Sequence, residues 1–391
     1  MSDVVIVEAV RSAVGKRRGG LAHHLAPDLF GDVLAGLIAR TGVDSGVIGQ
    51  VVGGCVNQVG PQSGNVTRTA WLAAGLDRGV AASTVHAQCG SSQQAFTLAY
   101  GLVAGGVVDA AVAGGVETMS PIPMGSSVMP ELGPAKTSRY EGHYEVTSQF
   151  EAADRIAEAW GLARRDLEEF AVLSQARAAR AITQGRFAGQ IVPVEAPAVD
   201  DAGEPAGTKT IDVDEGPRPT TLEGLAGLKV NQKDRPGALH TAGTSSQISD
   251  GASALLLMNS ARAGALGLVP RARVVDSILV GSDPVMLLTG PIPATEAILE
   301  RNGLTLDDID VVEINEAFAS VVLAWQREHK ADLEKVNVNG GAIALGHPLG
   351  ATGGVLVTKA LNELERTGGR YALVTMCVGG GMGTGTLIER L

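Results

Sequence analysis

Only three cysteines occur in 391 residues, Cys55, Cys89 and Cys377, and no two of them share the C-x-x-C spacing of a zinc or redox site. That scarcity excludes a disulfide framework, leaves no metal centre to expect, and fits reduced thiols in a cytoplasmic protein. Positive charge is also scarce: 31 Lys and Arg against 42 Asp and Glu give a net charge of -11, with no extended basic run. A general nucleic-acid binder is thereby excluded, because phosphate contacts need clustered cations, whereas a phosphorylated small molecule needs only a local basic pocket. No stretch reaches 18 uninterrupted apolar residues. The opening MSDVVIVEAVRSAVGKRRGG reads as a short strand followed by charge, so neither a secretory leader nor a membrane partner is expected.

Glycine, by contrast, is plentiful, at 52 residues, and it is clustered. GGCVNQVG, AGGVETMS, VNGGAIALGHPLGATGG and CVGGGMGTG stand beside short β-like runs such as VVEIN and YALVTM. Glycines at strand ends permit tight turns and let backbone approach a ligand, so several such loops are expected to converge on one site. The length exceeds what a single core usually supports, about 250 to 300 residues, and implies more than one unit.

A weak duplication supplies them. In the first half a strand ending near Cys89 leads into a helix over Gly90 to Ala104 and a strand at Asp109 to Gly115. In the second, VNVNGG leads through HPLG into a helix over Ala351 to Arg366 and a strand at Tyr371 to Cys377. Alternating strands and helices imply βαβ units and a mostly parallel sheet, with corresponding loops facing each other and Cys89 near His347 and Cys377. Between the halves, a helix pair is expected over Phe150 to Gly185, followed by the Pro, Asp and Gly-rich VPVEAPAVDDAGEPAGTKTIDVDEGPRPTTLEG. So long an aperiodic segment reads as a lid or binding element, the alternative being a solvated linker.

The stretch VHAQCGSSQQAF puts a thiol where a strand gives way to a helix. Free N–H groups and the positive dipole end at a helix N-terminus favour the thiolate, the nucleophilic form of cysteine. A buried structural cysteine fits the same pattern, and packing is the reading taken for Cys55.

From VVIVEAVRSAVGKRRGG to the C-terminus the chain resembles the thiolases, which make and break carbon-carbon bonds in 3-ketoacyl-CoA thioesters. The resemblance rests on QCGSS around Cys89, AGGVETMS at Ala113 to Ser120, INEAFAS at Ile314 to Ser320, GGAIALGHPLGATG at Gly340 to Gly353 and CVGGGMGTG at Cys377 to Gly385, all in the family's order. It implies an α/β fold of duplicated βαβ halves in a layered αβαβα core with an inserted loop domain. The expected divisions are an N-terminal half over 1–119, a CoA-binding insertion over 120–250, a return over 251–268 and a C-terminal half over 269–391.

By the same resemblance Cys89 is the acylated nucleophile, His347 takes its proton, and Cys377 is the second thiol that moves a proton to the leaving acetyl-CoA carbanion or from incoming CoA. His347 and a water held by Asn315 would stabilise the enolate, while the backbone N–H groups of Cys89 and Gly379 would hold the oxygen of the tetrahedral intermediate. A side chain at 379 would obstruct that approach. Taken alone, His347 also fits a structural loop histidine and Asn315 a helix N-cap, while Glu316 is given a supporting hydrogen-bonding role. CoA or acyl-CoA enters as substrate, with no tightly bound cofactor; Ser246 matches the pantetheine contact, and Arg218 is a cation for the adenosine-phosphate end or simply a solvated arginine. A homodimer or homotetramer is expected, with Val51 to Arg68 in the interface.

Two departures from the common pattern stand out, the second of which bears on substrate. Ser92 stands where many thiolases have glycine, and TSQFEAADRIA at Thr147 to Ala157 differs from the short-chain pattern. The latter, with TAGTSSQISDG, looks more like degradative thiolases acting on bulky acyl groups, including steroid side chains, than like biosynthetic acetoacetyl-CoA enzymes. A fatty-acid condensing enzyme of the same superfamily generally uses Cys-His-His or Cys-His-Asn, against which Cys377 argues. The joint presence of Cys89, Asn315, His347 and Cys377 argues against a non-catalytic acyl-CoA binder.

Overall fold

The computed structural model describes residues 3–200 and 202–391. Ten strands form one sheet: β1 (Val4–Arg11), β2 (Gly15–Lys16), β3 (Gln50–Gly54), β4 (Ala81–Val85), β5 (Ala110–Thr118), β8 (Ser249–Asn259), β9 (Ala272–Gly281), β10 (Val311–Ile314), β11 (Tyr371–Val378) and β12 (Met382–Arg390), while β6 (Val194–Val199) and β7 (Pro205–Ile211) make a separate hairpin. The order is β4-β3-β5-β8-β1-β9-β12-β11-β10, with β2 beside β8. It reads as the same half-sheet twice. β1, β8, β5 and β3 have β9, β12, β11 and β10 as counterparts, with matching antiparallel and parallel pairings. Among the described residues, the two halves share hydrogen-bonded register only where Val5 meets Arg273 and Ile6 meets Ala272.

The sheet is mixed rather than mostly parallel. β12 follows β11 through a tight turn in which Gly380 and Gly381 have φ of 91° and 76°, and a turn this short can only return the chain antiparallel. β8 likewise comes back antiparallel to β5 after the long central segment. The strand expected at VNVNGG is reduced to a single bridge between Val312 and Val336. Asn337 turns the chain away with φ 45°, and its side chain takes the place of a ladder rung, accepting from Ile314 N at 2.9 Å and donating to Ile314 O at 2.8 Å.

Eight longer helices matter for the site: α1 (Ala26–Thr41), α2 (Val66–Ala73), α3 (Ser91–Ala104), α4 (Gln149–Ala159), α5 (Arg164–Thr183), α6 (Pro291–Asn302), α7 (Ala319–His329) and α8 (Thr352–Thr367). α1 starts with proline in its first turn and buries Leu29, Phe30, Val33, Leu34 and Leu37 beneath the first half-sheet, each such side chain contributing roughly 1.5–3 kcal/mol before entropy is set against it. α6 and α7 cover the outer face of the second half. Between the half-sheets lie α3 and α8, whose Ala95, Phe96, Ala99, Val357, Ala360 and Leu361 share one core with strands of both halves. The result is the layered αβαβα arrangement.

In the central segment α4 and α5 form the expected helix pair. The β6–β7 hairpin, however, lies in the stretch read as aperiodic; it is mostly exposed and contains proline, so its sequence carries little alternation.

Candidate active site

Cys89 sits in the turn between β4 and α3, two residues before the helix, with Gly90 at the N-cap. The turn is held in a costly shape, since Gln88 has φ 46°, a left-handed conformation that side chains rarely adopt. Ser91 secures it: its Oγ accepts from Ala87 N at 3.0 Å and donates to Gln88 O at 2.6 Å. Ser92, the residue that departs from the common glycine, accepts from Gly354 N at 3.0 Å, satisfying a first-turn N–H of α8 and tying the two central helices together. The helix N-terminus does not leave Cys89 as a thiolate. Burial pushes the thiol up to about 11, and the N–H groups of Gly379 and of Cys89 itself offset this only in part. Both of those N–H groups border the sulfur, with Gly379 and Cys89 on the wall of one cavity, where an oxygen carried on Cys89 would need donors.

His347 lies in the loop before α8 and is buried. Gln247 and Ser249 seat it, through His347 N to Gln247 O at 3.2 Å and to Ser249 Oγ at 3.2 Å. Its tautomer follows from the network. Thr352 Oγ1 gives its one hydrogen to Pro348 O at 2.8 Å, so at 2.6 Å it accepts from His347 Nδ1–H, which leaves Nε2 bare. Burial drives the ring down to about 4. The pair is therefore a neutral thiol and a neutral imidazole, a base ready to receive a proton.

Asn315 Nδ2 lies 3.3 Å from that Nε2, and Asn315 Oδ1 is buried with no partner among the described residues. The N-cap alternative fails, because α7 starts at Ala319 with Phe318 as its N-cap. Glu316 braces the loop instead, accepting from Ser174 Oγ at 2.6 Å, Asn337 Nδ2 at 2.9 Å and Ile343 N at 3.2 Å. Cys377 is fully buried on β11, and both burial and the neighbouring Cys89 raise its thiol. Gly379 is not crowded by the protein: a Cβ there would first meet the Gln88 side chain, at 3.4 Å.

Two cavities meet at Cys89. The first, about 510 Å³, is lined by Cys89, His347, Ser246, Phe150 and Phe318, with Lys16, Arg17 and Arg218 supplying cations and no carboxylate. Arg218 is exposed, and its guanidinium has no hydrogen bond or ion pair to the described residues. The second, about 790 Å³, carries Val56, Val128, Met129, Leu132 and Leu287 beside His86, Gln88 and one cation, Lys136, and likewise no carboxylate. Cys89, Met124, Gln149 and Leu349 belong to both. Sequence reasoning passed over Lys16 and Arg17, although KRR is three successive cations in an acidic chain, and over Thr352, whose role depends on the fold.

The neutrality of His347 has a consequence for stability. An unfolded chain takes up a proton on this histidine near 6.5, whereas the folded site refuses it until about 4, so stability is full above pH 6.5 and is lost as pH falls towards 4. The contribution is about 3 kcal/mol, from roughly 2.5 pH units at 1.36 kcal/mol each. Urea titrations of wild type and His347→Gln across this window should show the variant with the flatter slope; equal slopes would refute the assignment.

Two family models account for nearly the whole chain, the thiolase N-terminal domain over residues 4–261 and the thiolase C-terminal domain over residues 268–390. This chain belongs to the thiolase family. Among thiolases it is 47% identical to the steroid 3-ketoacyl-CoA thiolase FadA6 of Mycobacterium tuberculosis, over 100% of this chain and 95% of that protein. It is 42% identical to a β-ketoadipyl-CoA thiolase of Acinetobacter baylyi and 42% to a 3-ketoacyl-CoA thiolase of Vibrio cholerae, with full coverage of both chains in each case. The crystal structure of the Bacillus anthracis acetyl-CoA acetyltransferase superposes with a TM-score of 0.89 at 35% identity, covering 100% of this chain and 99% of that one.

Proposed function

We propose that the protein is a 3-ketoacyl-CoA thiolase of the degradative kind, cleaving bulky 3-ketoacyl-CoA thioesters with CoA to acetyl-CoA and a shortened acyl-CoA. The observation that carries this is the position of Cys89, at the junction of a cavity with Lys16, Arg17 and Arg218 suited to CoA phosphates and a larger one whose Val56, Val128, Met129, Leu132 and Leu287 suit an acyl group. In the first half-reaction Cys89 Sγ attacks the 3-keto carbon as its proton passes to His347 Nε2. The tetrahedral oxygen lies against the Cys89 and Gly379 N–H groups, the C2–C3 bond breaks, and the acetyl-CoA enolate, stabilised beside His347 and Asn315, takes a proton from Cys377. In the second, Cys377 thiolate removes the proton of incoming CoA, whose sulfur attacks the acyl-Cys89. The departing Cys89 sulfur recovers its proton from His347.

Residues 120–250 act as the CoA-binding insertion, with Ser246 on the pantetheine arm and Lys16, Arg17 and Arg218 at the phosphate end. A biosynthetic acetoacetyl-CoA thiolase would have no use for the second cavity. Initial rates on a panel from acetoacetyl-CoA to steroid-sized 3-ketoacyl-CoA esters decide between them: kcat/KM should rise with acyl bulk, and a preference for acetoacetyl-CoA would sink the degradative reading.

A cytoplasmic setting is supported by three free cysteines, and no described helix is long and apolar enough to cross a membrane. We also propose a homodimer as the minimal unit, with Val51 to Arg68 near the contact. β4, which among the described residues pairs only with β3, presents an open edge that needs covering. Light scattering at micromolar protein should give at least twice the 40.0 kDa chain mass, and an active monomer would contradict it.

A further inference from the structure

The motif AGGVETMS contains a carboxylate for which the reaction scheme has no use. Glu117, at the end of β5, is fully buried and forms no ion pair among the described residues. Its partners are all N–H donors: Oε2 accepts from Val56 N at 2.9 Å and Gly350 N at 3.0 Å, and Oε1 from Asn57 N at 3.0 Å, Asn57 Nδ2 at 3.1 Å and Gln62 Nε2 at 3.1 Å. A carboxylate, which has two acceptor oxygens and no hydrogen to give, is the group that five donors require. Four of them come from the Val56–Gln62 stretch of the first half. The fifth, Gly350, belongs to the loop of the second half that carries His347.

At this crossing the two halves touch backbone to backbone. A Cβ on Gly350 would lie 2.3 Å from Val116 O, 2.8 Å from Glu117 Oε2 and 2.9 Å from Cys55 Cα, and one on Gly115 would lie 2.1 Å from Gly350 O. From Gly350 the path to the imidazole is short. Ala351 N and Thr352 N both bond Pro348 O, at 2.9 and 3.0 Å, and Thr352 Oγ1 holds His347 Nδ1.

We propose that Glu117 is a positioning residue that docks the His347 loop of the second half onto the half that bears Cys89. The inference rests on the reading of Cys89 and His347 as the reacting pair. The negative charge of Glu117 also adds, as a minor contribution beside burial, to holding Cys89 as a thiol.

Glu117→Gln keeps the shape but must turn an NH₂ towards N–H groups, pushing the loop away. Single-turnover acylation of Cys89 should fall about 10²-fold, the order expected for a misplacement of about 1 Å, while KM for CoA stays within about twofold. Alkylation of Cys89 by iodoacetamide, followed by peptide mass against pH, should move to lower pH because the negative charge is gone. In a His347→Ala background the same substitution should cost less than about threefold, since the loop then carries nothing to position. Wild-type acylation in Glu117→Gln, or undiminished loss in the His347→Ala background, overturns the proposal. If His347→Ala alone leaves acylation intact, it is the reacting-pair reading that fails, independently of Glu117. Should Glu117→Gln not fold, Glu117→Asp keeps the charge while retreating from Gly350 N. It should lose acylation about tenfold with the alkylation profile unchanged, and loss of the native thermal transition in both variants would make Glu117 a folding residue and overturn the proposal.

Discussion

Cys89→Ala is expected to abolish the covalent intermediate and reduce turnover by at least about 10⁴-fold. Incubating wild type with acyl-CoA and no acceptor should add one acyl mass to the peptide containing Cys89, and the variant should show none. The size of the effect follows from the surroundings. The sulfur is bordered by the N–H groups of Gly379 and of its own backbone and shares a cavity wall with His347, whereas the neighbouring thiol, Cys377, is fully buried and raised further by its surroundings. Cys55 cannot take over, being fully buried in the first-half core, with burial and Glu117 both raising its thiol. An acyl adduct on Cys55 would overturn the assignment.

Cys377→Ala should separate the two half-reactions. Cys89 and His347 are untouched, so some acylation from a thioester persists, while turnover drops about 10²- to 10⁴-fold because the enolate loses its proton donor and CoA its base. Rapid-quench measurement of acyl-Cys89 beside steady-state kcat reads the two separately. Equal loss in both would contradict a division of labour between the thiols.

Much of this arrangement is legible in the sequence because chemistry-bearing residues stand at glycine-rich strand ends. Cys89, His347, Asn315, Cys377 and Gly379 are each flanked by such glycines or by a β-like run, and the fold brings them together. Ser246 and Arg218 line the cavity that Cys89 and His347 share. What escaped was what depends on distant partners. The charge state of Cys89 is decided by burial as well as by its helix end, and only the fold reveals the burial. The missing strand at VNVNGG was invisible because Asn337 supplies side-chain bonds where a β pattern promised backbone ones. The mixed sheet follows from the tight turn at Gly380 and Gly381, whereas the alternation of strands and helices spoke only for crossovers. The β6–β7 hairpin is too exposed to show alternation.

The repeated half-sheet divides the reaction between its copies. The loop before α3 in one copy and the loop before α8 in the other occupy equivalent places, yet one holds Cys89, the proposed nucleophile, and the other His347, the proposed base. Neither copy owns a complete reaction centre. A chain severed between residues 261 and 268, where the two family models part, would leave Cys89 on one fragment and His347, Asn315 and Cys377 on the other. Catalysis in such a split protein would be a property of the reunited pair, and its reappearance on mixing would measure how well the two halves recognise each other without a covalent link.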